Sequence, residues 1–261
     1  LPEVEKKQVE LAPPSAQVQQ LLDIIPEKVG FRFAGIPHNP EERTDGVYDW
    51  SPSNPNQVVT KDGVVYPNEE YPEDQSIVVT NKLGEEVEYP YYEDDRGRRY
   101  FVSGHIWYQQ REYALVQTMR IAEQDPMGAA RLLHRWSEVY PSYVKVNDFI
   151  WRNYPIDESQ TPPNPYWGGI LSRWYTNDLF NLSRLVDAFH LVRQTNAFEL
   201  LSAELGVDVE QKIIDDIFEP EVEFANSYPI VNHNMEIQLW KGYITLARVL
   251  NEPDYIHKVV E

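Results

Sequence analysis

Between Val231 and Leu250 the chain reads VNHNMEIQLWKGYITLARVL, and the first six residues gather a base, an acid and two amides. Asn232, His233, Asn234 and Glu236 stand at the mouth of a helix otherwise filled with Leu, Ile, Trp and Tyr. Asn232 or Asn234 suits an N-cap, because its side-chain oxygen accepts the unpaired N–H groups of a first turn. The same end carries a partial positive charge and attracts carboxylates. His233 and Glu236, three apart, share one helix face. A capped core helix whose histidine only packs is the plainer alternative. The apolar positions Ile237, Leu239, Trp240, Tyr243, Ile244, Leu246 and Val249 predict an inner helix packed on several sides, open only at its N-terminal mouth.

Further along the chain, Arg173, Trp174 and Tyr175 follow a Trp-Gly-Gly hinge and begin a helix. They suit a saccharide platform with a cation for uronate or sulfate; a core tryptophan beside a surface arginine is the alternative. His105 begins a helix with Trp107, Tyr108 and Gln109 and is a candidate for the same cleft, or a packed or capping histidine. His134 and His190 read as structural, and His38 and His257 as surface residues. No HExxH, Walker-type, GxGxxG or GxSxG pattern occurs, so no metal or cofactor is expected.

The elements around these residues are mainly helical. Ser15–Ile25 predicts a short helix capped by Ser15 and stopped before Pro26. Residues 1–98 are expected to form an irregular, loop-rich segment carrying little strand and packed on the rest. Within it Gln57–Thr60 and Gly63–Tyr66 could pair across Lys61-Asp62, and Ser76–Thr80 is a further candidate strand. Residues 99–261 predict helices over Ser103–Gln124, Met127–Val139, Gly169–Thr195, Ala197–Leu205, Val209–Asn226 and Val231–Leu250, then a last turn at Asp254–Glu261. A long aromatic, proline-rich loop over 140–168 interrupts them. Short connections favour antiparallel hairpins. The fold class expected is mainly α, an incomplete (α/α) toroid of antiparallel helical hairpins.

The chain has 261 residues, a hydrophobic content of 42% and no cysteine, which excludes disulfides, thiolate zinc sites and a thiol nucleophile. The net charge is −19, densest in residues 1–98, where 20 acids face 9 bases. That balance argues against nucleic acid as a partner and demands a locally basic cleft for any anionic polysaccharide. No apolar run approaches a membrane span, so no membrane partner is expected.

Taken together, three segments resemble the heparinase II/III-like polysaccharide lyases. Gly97–Tyr143 combines a charged turn, Arg-Tyr-Phe, two helices with Ala129-Ala130-Arg131, and Tyr140-Pro141. Tyr166–Tyr175 (YWGGILSRWY) leads into a helix, and Asn232–Glu236 (NHNME) follows. Val64–Gln75 is similar to a segment that precedes the toroid in some members, where it often carries paired cysteines that this chain lacks. The resemblance implies β-elimination on uronic-acid-containing glycans such as glycosaminoglycans or alginate, by a periplasmic or secreted bacterial protein. It implies that Asn232 and Glu236 lie against the uronate carboxyl, with Glu236 protonated, and that His233 is the base or proton shuttle. Asn234, Arg173, Trp174, Tyr175 and His105 would bind substrate. The family's catalytic tyrosine, a further histidine and a β-sheet domain normally follow downstream, so the chain reads as a piece that needs the remainder of its parent. Two alternatives stand beside this reading. One is an (α/α)-barrel glycoside hydrolase with Asp178 or Asp148 opposite Glu236; the other is a non-catalytic α-hairpin module that binds glycan or protein.

Overall fold

The computed structural model describes residues 6–31, 35–41, 48–149, 152–156, 169–172, 175–227 and 236–260. They form a mainly helical chain with small antiparallel sheets. By contact the chain divides into two compact units. One comprises residues 1–25, 113–141 and 175–261; the other comprises 26–112 and 142–174.

The first unit is helical. Helix α1 (Ala16–Ile24) starts where Ser15 Oγ accepts the Val18 N–H, and it stops ahead of Pro26 as its sequence predicts. Helix α2 (Val102–Gln124) begins in the other unit and ends in this one. Asp125 then caps α3 (Pro126–Val139), and the buried Trp136 donates its indole N–H to Thr118 across the α2–α3 corner. Helix α4 (Tyr175–Arg193) is buried on nearly every side, from Thr176 and Leu179 round to Val186 and Phe189. α5 (Ala197–Leu205) ends at Gly206 in the left-handed conformation, as glycine permits without strain.

The run Val209–Asn226 is helical throughout but not uniform. α6 (Val209–Ile213) passes through a π turn at Ile214–Phe218 into α7 (Glu219–Asn226). Pro220 supplies the reason. It has no N–H for an i−4 bond, and its ring would crowd the carbonyl one turn back. The wider turn, in which Glu219 N–H reaches Ile214 O, relieves that crowding. It also turns the chain's phase so that Phe218 meets Phe189 edge-on at 5.1 Å and Glu221 enters the core.

Helix α8 (Glu236–Leu250) lies along α4, and α9 (Asp254–Val260) follows. α8 buries Leu239, Tyr243, Leu246 and Val249 on one side. Its other side is open: Ile237 is 62% exposed and Ile244 49%, in line with Lys241 and Arg248. The expectation of a helix packed on several sides is therefore corrected. Among the described residues α4 is the enclosed helix, and α8 is amphipathic.

The second unit holds more strand than the loop-rich expectation allowed. β1 (Tyr48–Ser51), β2 (Asn54–Thr60) and β3 (Val65–Tyr66) form one antiparallel sheet, and the β2–β3 pairing across Lys61-Asp62 is the hairpin its sequence suggests. β4 (Gln75–Thr80), β5 (Glu86–Glu93) and β6 (Arg99–Tyr100) form a second. β7 (Lys145–Phe149) and β8 (Arg152–Ile156) make a hairpin inside the stretch read as loop. Pro, Asn and Asp at the turns masked the short alternating strands between them. Ile36, Tyr48, Val58, Tyr66, Val102 and Ile106 form this unit's buried cluster. Gly30 lies so close to α2 that a Cβ there would fall 1.8 Å from Tyr108 N.

Among the described residues no helix is long and apolar enough to cross a membrane.

Candidate functional site

Successive contacts between α4 and α8 advance in the same direction along both helices. Lys241 Nζ stands 4.6 Å from the Phe180 ring centre, Gly242 abuts Leu179, Arg248 reaches Asp187 at 3.5 Å, and Arg193 donates to Val249 O at 2.9 Å. The two helices are thus parallel. Counted from the Gly242–Leu179 contact, α8 begins about 9 Å and α4 about 6 Å towards the same end. Two helix N-termini lie at that end, each with an acid in its first turn: Glu236 on α8, 1% exposed, and Asp178 on α4, fully buried. Unpaired N–H groups at such ends favour anions.

Tyr175 is the first residue of α4 and so belongs to the same end. Asn232, His233 and Asn234, which precede Glu236, lie outside the described residues, as do Arg173 and Trp174. Deeper along the same face of α8, Tyr243 donates its hydroxyl to Asn226 Oδ1 at 2.6 Å. Burial, with the nearby Glu221 charge and Tyr255, pushes this phenol well above its ordinary value, so it stays a donor. Tyr140 donates its hydroxyl to the fully buried Glu221, which ties the end of α3 to α7.

His105 belongs to the other unit. It is buried, with its ring 5.2 Å from Tyr48 and 5.9 Å from Tyr108 and its Nε2 3.1 Å from the Gln109 amide. Near it, Arg111 is 1% exposed and donates Nη1 to both Gly30 O and Ile170 O at 3.0 Å. Gly169 O accepts from Val146 N at 2.9 Å. Together these bonds anchor the stretch that leads into Arg173 and Trp174. Asp148, the other acid weighed against Glu236, lies on β7 of this unit.

His38, expected at the surface without a role, is instead the middle of a chain of bonds. Its Nδ1 is 2.8 Å from the hydroxyl of the buried Tyr66, and its Nε2 is 2.7 Å from Asp62 Oδ2. Thr60 donates its hydroxyl to Asp62 Oδ1. The bonds from Thr60 and then His38 hold the Asp62 carboxyl below its ordinary value. With Tyr66 donating to Nδ1 and Nε2–H donating to Asp62, every group is satisfied. The hydroxyl is sealed from solvent, so the arrangement fastens the Ile36–Asn39 turn to the β2–β3 hairpin. Two signals were present in the sequence: Asp62 in the hairpin turn, and Pro220 inside a helical run.

Among the described residues no group of three or more His, Asp or Glu could hold a metal ion. Comparison with protein-family models, curated proteins and solved structures finds no match for this chain.

Proposed function

We propose that this chain is the helical part of a polysaccharide lyase that cleaves uronic-acid-containing glycans by β-elimination, an incomplete (α/α) toroid exported by a bacterial cell to its periplasm or beyond. The observation that carries the reading is the parallel pair α4 and α8, with Glu236 buried in the first turn of one helix and Tyr175 at the start of the other. Parallel neighbouring helices are compatible with the inner layer of an (α/α) toroid, and α5, α6 and α7 stand between α4 and α8 in the chain.

In the proposed reaction the C5 proton, α to the uronate carboxylate, leaves together with the glycosidic oxygen on C4, and a C4=C5 double bond forms. That proton is too weakly acidic until the carboxylate charge is neutralised. Asn232 and the first-turn N–H groups of α8 neutralise it beside Glu236, and His233 accepts the proton or relays it to the departing oxygen. Arg173, Trp174 and Tyr175 hold the neighbouring sugar. His233→Ala should abolish turnover while leaving the melting curve unchanged; undiminished turnover would remove His233 from the mechanism.

A second reading, an (α/α)-barrel glycoside hydrolase, is favoured by one observation: Asp178 stands in the first turn of the helix beside Glu236. Two carboxyls at one mouth are what hydrolysis needs. Its product carries a new reducing end without an unsaturated ring.

A further inference from the structure

At the ends of α4 and α8 away from the mouth, the first unit holds a cavity of about 730 Å³, a volume in the range of small-molecule sites. Its lining includes His190 and Arg193 from the last turn of α4 and Arg248 from the last turn of α8, about 27 Å along α4 from Tyr175. Ala122, Pro126, Leu191 and Val249 supply apolar surface, and Lys6 and Lys7 add two further cations. Glu123 is the one acid on this lining, in a chain whose net charge is −19.

The two close ion pairs beside the cavity point the same way. Lys6 pairs with Glu199, and Arg193 Nε with Glu210 at 2.8 Å. Both cations line this cavity, whereas both carboxylates line a neighbouring one of about 440 Å³ that has no basic residue on its lining. Each pair is thus a dipole with its positive end towards the larger cavity. Arg248 is held loosely, 3.5 Å from Asp187, which lines neither cavity. The carbonyl ends of helices attract cations on their own account, and Arg193 serves α8 in this way by donating to Val249 O. Lys7 belongs to no helix. Its backbone is fastened to the α4–α5 turn, with Lys7 N donating to Gln194 O at 2.9 Å and Asn196 N to Lys7 O at 3.2 Å. Among the described residues its Nζ meets no acceptor.

We infer that this cavity binds a small organic anion, a carboxylate on an apolar body, with Lys7 and Arg248 at the charged end and Leu191 and Val249 against the rest. An inorganic anion would leave the apolar wall unfilled, and a neutral molecule would leave Lys7 unpaired. The site stands apart from the α4–α8 mouth and does not rest on the lyase reading.

The test is binding of 2-naphthoate, read by its fluorescence and by NMR shifts of the Ala122, Leu191 and Val249 amides, beside 2-naphthamide and inorganic sulfate. The naphthoate should bind and move these amides, and 2-naphthamide and sulfate should each bind at least about tenfold more weakly. Lys7→Glu and Arg248→Glu, both at exposed positions, should each cost at least about tenfold in affinity without moving the melting curve. Asp187→Asn, which releases Arg248, should tighten binding. No binding by naphthoate, equal binding of the amide or of sulfate, or shifts confined to other amides would each overturn the proposal. So would naphthoate affinity that survives both charge reversals.

Discussion

Gly242 of α8 rests on the backbone of Leu179 in α4: a Cβ built on Gly242 would lie 2.7 Å from the Leu179 carbonyl oxygen and 2.3 Å from its Cβ. This contact sets how closely the two parallel helices approach, and so how their N-terminal ends are placed side by side. Gly242→Ala would lose nothing in helix propensity, yet it has to push the helices apart. It should destabilise the chain by roughly 1–3 kcal/mol, read by urea denaturation. A stabilised Gly242→Ala would mean that the helices separate without cost and that this packing does not fix the mouth.

Arg111 draws Gly30 and Ile170 onto α2 through two carbonyl bonds. Arg111→Met keeps the apolar stem but leaves both buried acceptors unmet, at about 2–4 kcal/mol in urea denaturation. If Arg173 and Trp174 bind sugar, the same change should raise KM, because it loosens the stretch that leads into them. A change in stability without a change in KM would separate this anchor from the binding surface.

Glu73 closes the start of α2 from thirty residues away, its carboxyl oxygens accepting the Ser103 N–H at 3.1 Å and the Ser103 hydroxyl. Burial raises its carboxyl above the ordinary 4.5, although the bonds from Ser103 and Val102 oppose the shift. The folded chain therefore holds this proton more tightly than the unfolded one. The resulting stability is complete below pH 4.5 and is lost as pH rises through the folded value. Glu73→Gln should flatten that part of the stability–pH curve and cost about 1 kcal/mol of helix capping. An unchanged slope would contradict the assignment.

The exposed Asp62 carboxyl is held below 3.8, first by the Thr60 hydroxyl and next by His38. In an NMR titration, Thr60→Val should return Asp62 towards its ordinary value by more than His38→Ala does. The reverse order would show that the imidazole, not the hydroxyl, is its main partner.

Much of this arrangement was legible in the sequence where local chemistry decides it. Ser15 before an apolar run and Asp125-Pro126 between two periodic stretches each set a helix boundary, because a cap or a proline acts within one turn. The β2–β3 hairpin was legible from its turn for the same reason. β1, β5 and the β7–β8 hairpin were not, since their alternation is short and broken by Pro and Asn, although each pairs with a strand only a few residues along the chain. The open face of α8 was hidden because Ile237 and Ile244 read as core by type alone. The burial of Glu221 depends on a π turn that a uniform helical period cannot foresee. At the candidate site, Glu236 in the first turn of α8 was foreseen from its place in NHNME. The parallel approach of α4, which brings Asp178 and Tyr175 to the same end, rests on tertiary packing through Gly242.

The most direct test of the lyase reading is product analysis. The protein, in its longest natural form, is incubated with alginate, heparan sulfate and chondroitin sulfate while the ultraviolet absorbance of the unsaturated uronate and the release of reducing ends are followed together. Both should rise in step on at least one of these glycans, and neither should rise with His233→Ala. Reducing ends without the unsaturated chromophore would contradict the lyase reading in favour of hydrolysis, and no product from any of the three would contradict catalysis on uronate glycans altogether.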